Sequence, residues 1–397
     1  MIKGLISLAF GALSFGIIEF VAMGLLPYFA ADFGVSIAMA GQTISFYAFG
    51  VVAGALGIIF CQRFNLKRLM LVIVALQLVG ILLTPMAQSF EMLLAGRFVS
   101  GLPHGCFFGV GAIIAQRIAV KGKSNAAMAI MIAGQTVSNV FGVPLGTFLA
   151  HAISWQTIFY IMAVWDVVVL LSMLRFLPDT GHLEEQSFLG QFRFLRHRAA
   201  WLVFGTIFLD SVGIFCVHTY VSPMLTGHVG LALEHVPAVL IVIGMAMMIF
   251  NLLSGRLADL FTSGKVTFYF LILALISMLL LGLAGGHVMA VGIVTACIVP
   301  AVLFGVGTPE QVAIVRCARG GELLGVALGQ VCFNMGNAVG ALLGALPMEH
   351  GYSVASITYI GALPLALAIG LIFVYVRCDE AAVEAARDAE RALEKEA

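Results

Sequence analysis

Charged side chains are what this chain most lacks. Its 397 residues carry 20 Lys and Arg against 20 Asp and Glu, 10% in all, where a water-soluble globule holds about a quarter. With 61% hydrophobic residues, the chain reads as an integral membrane protein. A formal net charge of zero says nothing about nucleic-acid or acidic partners, and no nucleic acid is expected as a partner. The seven cysteines (61, 106, 216, 297, 317, 332 and 378) are scattered through apolar runs without metal-type spacing, so they read as small buried hydrophobes, and no metal or cofactor is expected. HExxH, GxSxG and a Gly-x4-Gly-Lys-Ser/Thr loop are all absent, which argues against an intramembrane enzyme and against nucleotide hydrolysis. The first apolar run is longer than the core of a leader peptide and no small-residue cleavage site follows it, so it is expected to remain in the mature protein.

What is present is a series of apolar runs of about 18 residues or more, at 5–30, 41–62, 69–87, 92–117, 126–150, 156–177, 201–225, 236–258, 266–285, 288–315, 322–347 and 353–376. They predict an all-α membrane protein of twelve transmembrane helices in two pseudo-symmetric six-helix bundles, over 1–177 and 201–378. A linker over 178–200 separates them, and a tail over 379–397 follows. In the linker Phe188, Leu189, Phe192 and Leu195 share a helical face beside Arg193, Arg196 and Arg198, a pattern suited to a short helix lying on the membrane surface. The tail is an Ala/Glu/Arg helix with no apolar stripe and reads as a solvated extension.

The basic residues give an orientation. Arg63, Lys67 and Arg68 fall in one loop; Arg117, Lys121 and Lys123 in the next but one; then come the linker arginines, Lys265, Arg316, Arg319 and the tail from Arg377. The alternate loops, around Asp32, Ser89, His151, His228, Gly286 and His350, hold no Lys or Arg. The positive-inside rule then puts both termini in the cytoplasm. The halves also repeat: Phe108-Gly109-Val110-Gly111 returns as Phe304-Gly305-Val306-Gly307, Gly134-Gln135 with Asn139 as Gly329-Gln330 with Asn334, and Pro27 as Pro223. Such parallel repeats put a substrate site between them, near the midplane.

Inside the predicted spans, polar groups are few. Glu19 stands mid-helix, where a carboxylate costs about 2.5 to 3.5 kcal/mol and persists only facing a partner or a wet cavity. Arg97, Gly101, His104 and Phe108 share one face of the fourth span, and Arg97, which needs an anion, finds its nearest candidate in Glu19. Glu19 is thus expected to bind and release a proton, with Arg97 biasing it. His104 is either a relay or a neutral histidine satisfied by a carbonyl. Asp210 is a second titrating or substrate group, Glu310 reads as a snorkelling or gating residue, and Asp166 has no evident partner. Gln135, Ser138 and Asn139 are expected close to Gln330, Asn334 and Asn337. These amides either line a site for polar neutral ligands or act as glue between helices. The glycine series Gly134, Gly142, Gly146 and Gly336, Gly340, Gly344 suits close helix packing.

At this point the chain resembles the major facilitator superfamily over nearly all its length. GRLADLFTSGK (Gly255 to Lys265) is similar to that family's cytoplasmic loop motif, and the resemblance implies that Asp259 caps or pairs across a gate with Arg256 nearby. The first-half copy, GIIFCQRFNLKR, lacks the acid. Arg97 with Gly101 and Gly105 is similar to the helix 4 motif of proton-coupled members, and Gly134 with Gly142-Val143-Pro144-Leu145-Gly146 to the helix 5 signature of antiporters. EFVAMGLLP, RFVSGLPHGCFFGVGA and GQVCFNMGNAVGALLG resemble the bacterial sugar-efflux and drug:proton antiporter group, AraJ- and SotB-like. The resemblance implies proton-driven export of small molecules such as sugars or drugs across the bacterial inner membrane by a monomer. The alternative reading is an uncoupled facilitator or an importer of a small polar metabolite, such as a purine or sugar.

Overall fold

The computed structural model describes residues 2–57, 64–119, 124–182, 190–319, 321–383 and 385. Eleven of its helices are long and apolar enough to cross a membrane, and a twelfth crossing is divided in two, which accounts for the twelve predicted spans. The first half comprises α1 (Ile2–Phe33), α2 (Ile37–Gly57), α3 (Leu66–Leu83), α4 (Phe90–Ile118), α5 (Ser124–Val137), α6 (Val143–Ala152) and α7 (Gln156–Phe176). The second half comprises α8 (Arg198–His218), α9 (Val221–Gly227), α10 (Val236–Leu260), α11 (Ser263–Ala284), α12 (Met289–Cys317), α13 (Glu322–Glu349) and α14 (Ser356–Cys378).

The continuous fifth span expected over 126–150 is interrupted. Ser138–Gly142 form a π-helical turn between α5 and α6, and Pro144 follows at the start of α6. Pro144 lacks the N–H that an unbroken α-helix would bond to Val140, so the ladder has to rearrange there. The seventh span bends likewise between α8 and α9, around Thr219 and Tyr220.

Close helix approach is written in glycine. A Cβ at Gly101 would strike the Tyr47 carbonyl, at Gly105 the Val51 carbonyl, and at Gly50 and Gly54 the carbonyls of Phe98 and Leu102, so α2 and α4 run backbone to backbone. Gly134 does the same for α5 against the Ala9 carbonyl of α1, Gly142 of the π turn and Gly146 of α6 make room for the side chains of Ile17 and Val21, and Gly336, Gly340 and Gly344 seat α13 on α8.

The halves meet along α2 with α13 and along the π turn and α6 with α10. Hydrogen bonds across this boundary lie toward the end of the bundle opposite the termini. Ser45 of α2 donates to the Ala338 carbonyl at 2.9 Å. The Tyr220 hydroxyl bridges the carbonyls of Ala341, at 2.8 Å, and Ala38, at 3.4 Å. The conformation is therefore closed at the far end.

At the end bearing the termini, the chain between the spans is tied down. Asp179 accepts from the Asn65 amide at 2.6 Å and the Gly181 N–H at 2.9 Å, while Arg117 donates to the carbonyls of Thr180 and His182. Those two bonds to Asp179 favour its ionised form and hold its carboxyl below the usual range. Further along, the short helix expected in the linker is a 3-10 helix over Gly190–Arg196, and its Phe194 is buried against Phe204. Phe188 and Leu189 lie outside the described residues, as do Arg63, Lys121 and Lys123. The start of the tail is not a free extension: Asp379 pairs with Arg198 at 3.0 Å, and Glu380 accepts from Thr262 and from the Gly264 N–H, at the N-terminus of α11. Residues 386–397 lie outside the described residues.

Candidate functional site

Helices α1, α2 and α4 assemble a buried polar cluster in the first half. Arg97 is fully buried. Its Nε donates to the Thr43 carbonyl at 3.2 Å, Nη1 to that of Ile18 at 2.7 Å and Nη2 to that of Glu19 at 3.3 Å. The guanidinium also lies 4.4 Å from the centre of the Tyr47 ring, over its negative face. The expected pairing of Arg97 with the Glu19 carboxylate is thus replaced by main-chain carbonyls and an aromatic ring. The glycine contact between α2 and α4 brings the Thr43 carbonyl within reach of Nε, while α1 supplies the carbonyls of Ile18 and Glu19 to the other two nitrogens of the guanidinium fork.

The Glu19 carboxylate instead faces His104, with Oε2 3.8 Å from Nε2. His104 shares its other nitrogen, Nδ1, with the Tyr47 hydroxyl at 2.8 Å. Glu19, His104 and Tyr47 thus lie in series beside Arg97, fully enclosed, with a hydrogen bond between the last two and a 3.8 Å gap between the first two; Phe15 and Phe108 flank the imidazole. Each adjacent pair in the series contains a group able to give a proton and one able to take it. His104 is satisfied by a tyrosine hydroxyl, not by a carbonyl. Tyr47 carried no periodic or motif signal in the sequence.

Asp166 has a partner after all. Ser14 of α1 donates to its Oδ1 at 2.5 Å, and Gln77 of α3 donates to Ser14 at 3.2 Å. Asp210 belongs to the second half, where Ser211 donates to its Oδ1 at 3.3 Å and its carboxyl meets that of Glu310 on α12. Glu310 does not snorkel: it is 6% exposed, held inside by α12 packing on α8, α10 and α11.

The amides divide differently from the expectation. Repeat symmetry relates the fifth and eleventh spans but does not make them neighbours, because residues on opposite sides of the pseudo-axis touch only if they lie close to it. The π turn therefore packs on α10, and α13 packs on α2. Asn139 of the π turn, with Thr136, lines a narrow cleft between the halves opposite Met247, Met248 and Asn251 of α10 and Phe304 of α12. Gln135 flanks Gly16 of α1, and its carbonyl accepts from Ser138. On α13, Asn334 donates to the Gln330 carbonyl one turn back at 2.9 Å, leaving its Oδ1 unpartnered, while both polar atoms of the buried Asn337 lack a partner.

His218 was missed in the sequence, although it stands in an apolar run that already offered Asp210. It is 5% exposed, neither ring nitrogen has a partner, and Phe20 of α1 and Phe215 flank it at 6.2 and 5.9 Å. The Phe215 ring in turn contacts Phe333 of α13 at 5.5 Å. Since α8 and α13 both start at the termini end, one further turn along each brings His218 and Asn337 to the same level. Of the expected gate residues, Gly142 and Gly146 pack on α1 beside Pro144, Gly255 faces open space, and Arg256 is exposed. The Asp259 side chain lies outside what is described.

A family model described as the Major Facilitator Superfamily matches residues 8–327. The chain belongs to that superfamily. The major facilitator fold accounts for the two six-span halves and their interface. Among curated relatives, the transporter AraJ of Escherichia coli (strain K12) is 38% identical over 381 residues, covering 95% of this chain and 96% of AraJ. The inner membrane transport protein YdhP of the same organism is 31% identical over 374 residues, covering 94% and 96%. The MFS-type transporter YtbD of Bacillus subtilis (strain 168) is 28% identical over 375 residues, covering 92% and 94%. This major facilitator is a multi-pass membrane transporter of the AraJ-like group.

Proposed function

We propose that the protein is a proton-coupled antiporter that exports small polar molecules, such as sugars or drugs, across the bacterial inner membrane. It works as a monomer with both termini cytoplasmic, and the proton gradient is its energy source. The observation that carries the reading is the enclosed series Glu19, His104, Tyr47, in which the Glu19 carboxylate has a histidine within 3.8 Å while Arg97 spends its donors elsewhere. A carboxylate that feels the charge of Arg97 without being hydrogen-bonded to it can exchange a proton without dismantling the guanidinium contacts. The cleft bounded by Asn139 and Asn251 beside Met247 and Phe304 is too narrow for a solute in this conformation, but its mixed amide and apolar lining supports one with both hydrogen-bonding and apolar surface once the halves part. The far-end closure supports alternating access, with the halves rocking about a cleft open in turn to each side.

Proton release from the detergent-purified protein tests the reading, with sugars, purines and neutral or cationic antibiotics added in turn and Glu19→Gln as control. Release by wild type, reduced below roughly a tenth in the mutant, is the expected outcome. Ligand binding with no proton release would replace antiport with uncoupled facilitation.

A further inference from the structure

The second half holds a pair of acids that the antiport reading of Glu19 does not use. Asp210 of α8 and Glu310 of α12 are buried at 0% and 6% exposure and face each other carboxyl to carboxyl. Each has one enclosed oxygen with no other partner, Oδ2 of Asp210 and Oε1 of Glu310. Two carboxylates in contact out of water repel, whereas one carboxyl donates to the other as soon as a single proton lies between them. No cation answers the pair. From α13, α14, α10 and α11, packed around α8 and α12, no charged or titratable group among the described residues reaches either acid; only Ser211 and the opposite carboxyl do.

The position of Glu310 along α12 supplies the means of opening. Pro309 precedes it inside the helix. A proline there has no N–H for the Gly305 carbonyl, and its ring crowds that carbonyl, so the helix bends at this point. Gly307 beside it faces open space. Thr308 donates to Asn251 at 2.8 Å, and Asn251 lines the cleft between the halves. The cleft is therefore connected to Glu310 through two residues and a hinge.

We infer that Asp210 and Glu310 form a second proton-binding site, a carboxyl pair that shares one proton and gives it to water when α12 bends at Pro309. The site rests on the antiport reading for its use, but its existence is testable without any transported solute. In the balanced step, the hydrogen bond between the acids breaks, water enters, the proton leaves as hydronium and both acids remain as hydrated carboxylates. Occupation of the cleft at Asn251 is what biases the hinge.

Infrared spectroscopy of the full chain in liposomes reads the pair directly. In the difference spectrum of wild type minus the double variant, a protonated carboxyl C=O band is expected at neutral pH, a component moved in frequency in Asp210→Asn and in Glu310→Gln and unmoved in Glu19→Gln. A band that survives intact in the double variant, or keeps its position in both single variants, overturns the site. Pro309→Ala keeps both acids and removes the hinge. Deuterium exchange of the same band is expected to slow at least roughly tenfold in that variant, the scale of a restrained local opening. Exchange at the wild-type rate overturns the hinge. Failure of proton release in the Glu19 experiment would leave both infrared results untouched, so the two readings fall separately.

Discussion

The two halves of this transporter share a fold by repetition but spend their buried polar groups in opposite ways. In the first half, Arg97 uses each of its three nitrogens on a carbonyl and its face on Tyr47, and His104 joins Glu19 to the Tyr47 hydroxyl. In the second half, Asn337 and His218 leave every side-chain polar atom without a partner, and Asp210 and Glu310 have only each other and Ser211. A satisfied network is rigid and has one arrangement. An unsatisfied one at the boundary between halves is costly until something arrives to bond with it. On the antiport reading proposed above, the Arg97 network of the first half would be the fixed frame for the proton, and the second half the side whose polar groups respond to occupancy.

The comparison can be broken most forcefully at Arg97. Arg97→Leu removes three charge-assisted hydrogen bonds and the contact with Tyr47, leaving the carbonyls only their helical donors, so stability in detergent is expected to fall by about 3 kcal/mol, read as a lowered Tm. Preserved melting would mean that the first half is not held by this residue. Tyr47→Phe keeps the ring under the guanidinium and deletes only the hydroxyl on His104. A loss of about 1 kcal/mol is expected, with a shifted pH profile of transport. The same kind of change in the second half has the other sign. Asn337→Leu removes a side chain with no partner, so stability should stay level or rise by up to about 1 kcal/mol while transport falls. Destabilisation there would mean that Asn337 is structural glue.

The smallest effect is at Asp179 in the strap that follows α7. Its bonds favour the ionised carboxyl, so their contribution is present above the unfolded carboxylate pKa and fades as pH falls through the lower folded value. Protection of the Gly181 amide relative to its intrinsic exchange rate should fall under acid and, in Asp179→Ala, be lowered already at neutral pH.

How far the sequence reached follows from what kind of signal each feature leaves. Twelve spans and two halves were legible because apolar length and repetition are local properties, visible one stretch at a time. The π turn was not, although Pro144 was in view, because a proline says that a ladder breaks without saying how. Arg97 with Glu19 was half legible. Depth along two helices brought them together, but rotation about the helix axes decided that the guanidinium meets carbonyls and the carboxylate meets His104. The pairing of Asp210 with Glu310 joins residues 100 positions apart in the chain, on helices whose adjacency only packing fixes. The amide expectation failed for a related reason: repetition identifies equivalent places, and equivalent places need not touch.

The far-end closure joins the halves through very little. Its hydrogen bonds run from two hydroxyls, Ser45 and Tyr220, to main-chain carbonyls of alanines, with Gly41 making room for the phenol ring. Those hydroxyls and carbonyls are all groups that water can satisfy once the halves part, so opening forfeits little enthalpy. A closure of this kind leaves the two access states close in free energy and their populations sensitive to a few kcal/mol from a bound solute or a single proton. On the antiport reading proposed above, weakness at this point is a condition of turnover, since a tighter seal would hold the protein in one state.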